Sequence, residues 1–218
     1  MYKGKNKIKI PTYNFSNHLS LDAKDMYEYL LTRDYPEGNI KLLLDGEAKA
    51  KSIMEAIDWL DSWEGTDSEV VFFYSGHGST YDGYDDGDVE YTDEAIVSAD
   101  LKLILDGQLR AKFSTFESTK ISLTFDTCHS GGMDDLVLNL DGRIMVTACT
   151  ETQYSYDGNF EMQNGVFTYY YMQGLNEHHV VESAFDYAEP LAQKFVDEEY
   201  GAIMNPQIFD YYSGDFIP

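Results

Sequence analysis

A three-layer α/β sandwich, with a mostly parallel central sheet and helices on both faces, is the fold class this sequence predicts. The first observation is a set of short β-branched and aromatic runs: VVFFY at 70–74, ISLTFD at 121–126 and RIMVTAC at 143–149. They are too short for helices and barely interrupted by polar residues, as strands covered on both faces are. The second is that stretches with helical spacing fall between strands, the alternation typical of α/β sheets. The third is length: 218 residues suit one sizeable core better than two. A single domain over 1–218 is therefore expected.

Each element follows in order. The chain opens MYKGKNKIKI, where KIKI is short and lysine-flanked, a poor central strand. AKDMYEYLLTR (23–33) carries a helical pattern, and NIKLLLDG (39–46) reads as a buried strand ending in a turn. AKSIMEAIDWLDSW (50–63) is helical, with Ile53, Ile57 and Leu60 on one face. VVFFY is an inner strand. The Asp-, Gly- and Tyr-rich segment 80–94 reads as a long polar loop, a kind that tends to carry function. ISLTFD and RIMVTAC are further inner strands. GVFTYYYMQGL (165–175) and AFDYAEPLAQKFVDEEY (184–200) are helical, and QIFDYY (207–212) is a weaker strand.

Composition narrows the function. The net charge is -24, with 15 basic against 39 acidic residues, and 43% of the chain is hydrophobic. A folded protein of that charge lacks the basic footprint that nucleic acid or an anionic membrane surface needs. A basic substrate, bound cations or a plain solvated surface all suit it. Two cysteines make no disulfide framework, so reduced thiols are expected. Without a visible signal peptide or an apolar run of about 18 residues, an intracellular, cytoplasmic protein is expected.

Two stretches carry chemistry: VVFFYSGHGS (70–79) and ISLTFDTCHSGG (121–132). Each is a strand followed by a glycine turn, one holding His77 and the other Cys128. Ligands of open α/β sheets bind at the carboxyl ends of strands, so neighbouring strands would bring the two side chains together. A thiol attacks as thiolate and needs a base nearby, which an imidazole supplies before protonating the leaving amine. Glycines let backbone amides approach a substrate carbonyl. Two rivals stand beside this reading. A zinc site could use His77, Cys128 and His129, although CxxC and HxxxH spacings are missing. SGHGS could hold phosphate, although it lacks the Lys-Ser/Thr ending. Cys149 ends an apolar strand and reads as core.

SGHGS and DTCHSGG, separated by about fifty residues, together resemble the caspase-like cysteine peptidases, and most closely the metacaspases of peptidase family C14. LDAKDMYEYL (21–30), YTDEAIVSAD (91–100), TACTETQYSYDG (147–158), NGVFTYYY (164–171) and NPQI (205–208) are similar to the same family. The resemblance implies a caspase-like sandwich and an endopeptidase with Cys128 as nucleophile and His77 as base and acid. It implies an oxyanion hole from the amides of Gly78 and Cys128. It also implies a primary specificity pocket lined by Asp22, Ser75 and Asp126, whose carboxylates would favour Arg or Lys. The local readings are a helix first-turn residue for Asp22 and a loop-orienting strand end for Asp126. A caspase selecting aspartate would need cations here, yet no Lys or Arg lies between Ile121 and Gly142.

Calcium is a further expectation of the resemblance, with Asp93, Asp106 and Asp135 at the ligand positions. The family often has paired aspartates where this chain has Leu105-Asp106, which thins that site; DGYDDGDVEYTD (82–93) is not an EF-hand. The family's opening strand is left out or rebuilt in MYKGKNKIKI. Relatives often cut themselves after Lys or Arg between a large and a small portion. Only Arg143 and Lys194 follow Cys128, one at a strand edge and one in a helix, so a single-chain monomer without such processing is expected. The alternative is a catalytically idle caspase-like domain serving as a binding or calcium-responsive module.

Overall fold

The computed structural model describes residues 7–8, 19–83 and 91–218. The central sheet is built from β3 (Val70–Ser75), β7 (Ile121–Asp126), β8 (Arg143–Thr147) and β9 (Gln207–Asp210), in the order β3-β7-β8-β9. The first three run parallel and β9 closes the edge antiparallel to β8. Every residue of β3, β7 and β8 is buried, the reason their sequences read as unbroken apolar runs.

Alternation along these strands divides two cores. Val71 and Phe73 of β3, with Ile144 and Val146 of β8, pack with α1 (Leu19–Thr32), α4 (Val166–His178) and α5 (Val181–Tyr200). Val70, Phe72 and Tyr74 face the other way, with Leu123, Phe125 and Met145, against α2 (Ala50–Trp63) and α3 (Asp106–Phe113). Ile53, Ile57 and Leu60 of α2 are fully buried, as their spacing predicts. The result is a three-layer caspase-like sandwich.

At the beginning, β1 (Lys7–Ile8) is a two-residue strand paired in parallel with β2 (Ile40–Lys41), in a small sheet of its own. The opening strand is thus short and altered. NIKLLLDG is less strand than expected: after Lys41 it leaves the ladder, and a 3-10 turn follows at Asp45–Glu47.

The larger revision concerns 80–94, read above as a loop. β4 (Gly78–Asp82) and β5 (Thr92–Val97) pair antiparallel, with Tyr81 opposite Asp93, and β6 (Leu103–Leu105) adds a third strand. β4 is GSTYD, half-buried to exposed, and β5 hides Asp93 and Glu94, so neither carries a hydrophobic alternation. Residues 84–90 lie outside those described.

Candidate active site

β3 and β7 are parallel neighbours in register from Val70–Ile121 to Ser75–Asp126. Their carboxyl ends therefore coincide, and the turns holding His77 and Cys128 leave the sheet side by side. The Gly76 amide donates to the Asp126 carbonyl at 3.0 Å. Gly78 lies so close that a Cβ there would run into the Cys128 carbonyl and the Thr127 hydroxyl. Glycine is required by that approach. On its other side, the Val97 amide donates to the His77 carbonyl at 2.9 Å, and the buried Tyr74 hydroxyl bonds the same carbonyl at 3.0 Å.

The exposed His77 and half-buried Cys128 line one cavity of about 100 Å³ together with Asp126, Ser155, Tyr156 and Asp157. A larger hollow of about 710 Å³ between α2 and α3 gathers lysines, aspartates and apolar side chains, with neither thiol nor imidazole.

At this cavity and behind it, Asp22, Ser75 and Asp126, the residues the resemblance assigns to a specificity pocket, lie together. Ser75 sits opposite Asp126 in the ladder and donates its hydroxyl to Asp22 Oδ2 at 2.5 Å. Asp22 also accepts from Asn164 Nδ2 at 2.8 Å and from the Gly165 amide at 3.1 Å. Asp126 accepts from Ser155 Oγ at 2.5 Å and from Thr168 through its amide at 3.0 Å and its hydroxyl at 2.7 Å. Both carboxylates thus dock on the amino-terminal end of α4, whose N-cap, Gly165, offers no capping side chain. Two distant acids replace the local cap and meet the positive end of the helix dipole.

Neither is offered a cation by these partners. Burial, and then the charge of Asp126, holds the Asp22 carboxyl well above the usual carboxylate range. Burial raises Asp126 as well, against the donors from Ser155 and Thr168, with Asp157 adding to the rise. The Cys128 thiol is also pushed up, by burial first and then by the negative charges of Asp126 and Asp157. Its Sγ lies 3.9 Å from the Ser155 carbonyl.

The calcium positions are less gathered. Asp93 on β5 and Asp106 at the start of α3 are fully buried carboxylates, hard oxygen donors of the kind calcium takes. Asp135 instead holds Arg110 Nη1 at 3.1 Å. No three His, Cys, Asp or Glu side chains group to hold a metal ion among the described residues. Of the residues weighed for zinc, His129 Nδ1 lies 2.7 Å from the Glu151 carbonyl.

Sequence reasoning passed over Ser155, Asp157, Asn164, Gly165 and Thr168. They lie in TACTETQYSYDG and NGVFTYYY, segments that carried the resemblance but offered no roles. Cys149 is core as expected, fully buried and bonded to the carbonyls of Thr127 and Gln153. No helix among the described residues is long and apolar enough to cross a membrane.

Comparison with known proteins identifies the family. The chain is 36% identical over 125 residues to Metacaspase-6 of Arabidopsis thaliana, covering 52% of this chain and 33% of that protein. It is 28% identical over 147 residues to Metacaspase-3 of the same plant, covering 62% and 39%. The chain therefore spans about a third of the length of such curated relatives. Protein GSU0716 from Geobacter sulfurreducens shares the fold, with a TM-score of 0.66 over 97% of this chain and 95% of that one at 16% identity. The family described as "Metacaspase, peptidase C14 domain" matches residues 14–137, more than half of the chain. The chain belongs to the metacaspases, within the caspase-like C14 peptidases.

Proposed function

We propose that the chain is a cysteine endopeptidase cutting after Arg or Lys. The observation that supports this best is the shared cavity: a thiol and an imidazole stand on walls whose remaining charged groups are carboxylates. In this reading His77 takes the Cys128 proton and Sγ attacks the carbonyl carbon of the basic residue. The carbonyl electron pair moves to oxygen, facing the amides of Gly78 and Cys128. Collapse breaks the C–N bond, and the imidazolium protonates the leaving amine. Water, losing a proton to His77, then cleaves the thioester, releasing the acid and restoring the thiol. Asp22, Ser75 and Asp126 select the basic side chain.

Single-chain action fits the surroundings of Arg143. It is buried at the start of β8, its guanidinium donating to the carbonyls of Leu136 at 2.8 Å and Phe113 at 2.7 Å. A protease cannot reach it without unfolding the sheet. Calcium stimulation enters the proposal on the resemblance alone.

The rival, an idle binding domain, draws on one feature: burial and two carboxylates push the Cys128 thiol up, against ionisation. Fluorogenic peptides ending in Arg, Lys or Asp, assayed with calcium and with chelator, decide between them. Cleavage of the Arg and Lys peptides, lost in Cys128→Ala and absent for Asp, is the expected result. No turnover of any peptide by freshly reduced protein would leave the binding domain.

A further inference from the structure

We propose that Asp157 forms the exposed rim of the cation pocket whose buried wall is Asp126, and that a guanidinium bound to these two carboxylates arms the thiol sharing their cavity. The inference deepens the proposed function and rests on its reading of the pocket as a cation site.

Asp126, Asp157, Cys128 and His77 line the same space. A charge in so small a hollow, of about 100 Å³, is partly buried and little screened by salt. Any charge entering it is felt at Sγ. Asp157 is held at the rim through its backbone. Its carbonyl accepts the Tyr200 hydroxyl at 2.8 Å, and Tyr156, beside it, stacks on Tyr200 with ring centroids 5.2 Å apart. An isolated β-bridge to Gly165 joins this rim to the N-cap of α4.

Negative charge beside a thiol opposes its ionisation, and the fields of Asp126 and Asp157 both act on Cys128 in that direction. A guanidinium between the carboxylates cancels that opposition, so the thiolate forms when a basic side chain is bound. The basic residue then counts twice, once in binding and once in creating the nucleophile, and selectivity appears in kcat as well as KM. Guanidinium, with two hydrogen-bonding edges, suits two carboxylates better than the point charge of an ammonium. Asp157 is thus a specificity residue favouring Arg over Lys.

The test follows alkylation of Cys128 by iodoacetamide between pH 6 and 9.5, located by peptide mass mapping, with and without millimolar methylguanidine. The expected result is a profile moved to lower pH by methylguanidine, with the rate at pH 7 raised roughly three- to tenfold. Asp157→Asn should start from a profile already moved down and respond less. The same variant should lose kcat/KM on Arg-ended peptides more than on Lys-ended ones. A more reactive thiol with poorer Arg turnover is a pairing that structural damage does not produce. A profile unmoved or merely slowed by methylguanidine, or an Asp157→Asn profile matching the parent, overturns the inference. If the shift occurs without peptide cleavage, arming stands and the endopeptidase reading fails; cleavage without the shift gives the reverse.

Discussion

Replacing Thr168 with valine removes one hydroxyl from beneath the proposed specificity pocket and keeps the side-chain shape. That hydroxyl is fully buried and donates to Asp126 Oδ2 at 2.7 Å, one of three donors holding the carboxylate. A hydrogen bond to a charged group contributes about 1.5–3 kcal/mol, so Thr168→Val should destabilise the fold by about that much where Asp126 is ionised. The dependence on pH gives the prediction its edge. Burial already raises the folded-state pKa of Asp126, and losing a donor to its ionised form raises it further. Below the unfolded value of about 4, the carboxyl is protonated in both states and the variant loses little. As pH climbs through the folded-state value, the loss should grow, then level off. The sequence pI of about 4.2 sets the practical floor, so urea unfolding of parent and variant should run from about pH 5 to pH 9. A loss that shrinks as pH rises, or one below about 0.5 kcal/mol throughout, would refute a charged Asp126 held by Thr168.

Three further outcomes follow from the same structure. Gly78→Ala drives a methyl group into the Cys128 carbonyl and the Thr127 hydroxyl; peptide turnover should fall by about a hundredfold or more with the far-ultraviolet spectrum unchanged, and retention of turnover would mean the two turns need not touch. Arg143→Met strips two buried carbonyls of their guanidinium donors and should lower unfolding free energy by about 3 kcal/mol, while the parent chain incubated with calcium should keep one intact mass, two fragments parting near position 143 being the contrary result. Arg110→Ala releases Asp135 from its ion pair; if Asp135 ligates calcium, the calcium-dependent rise in Tm should be larger in the variant, and an identical rise would remove Asp135 from the ligand set.

Much of this architecture was legible before any coordinates, for reasons visible in particular segments. VVFFY and ISLTFD are covered on both faces, so their burial is written into unbroken composition. α2 was legible because its buried face returns at helical spacing. The strands β4 and β5 were not, because GSTYD lies half in solvent and TDEAIV buries an aspartate and a glutamate. Whether such groups are buried is settled by the tertiary packing, and local pattern cannot show it. The site divides in the same way. His77 and Cys128 stood out from their glycine turns, whereas Ser155, Asn164 and Thr168 are ordinary polar residues whose meaning lies in what they touch.

The sequence by itself determined the layered α/β sandwich, the two turns carrying imidazole and thiol, and an acidity suited to basic partners, because backbone preference and hydrophobic period are properties of short segments. Only the tertiary structure decided that Asp22 and Asp126, more than a hundred residues apart, cap the same helix, and that Asp126 and Asp157 share a cavity with the thiol. Electrostatic influence depends on distance and burial in space, and no run of letters encodes either.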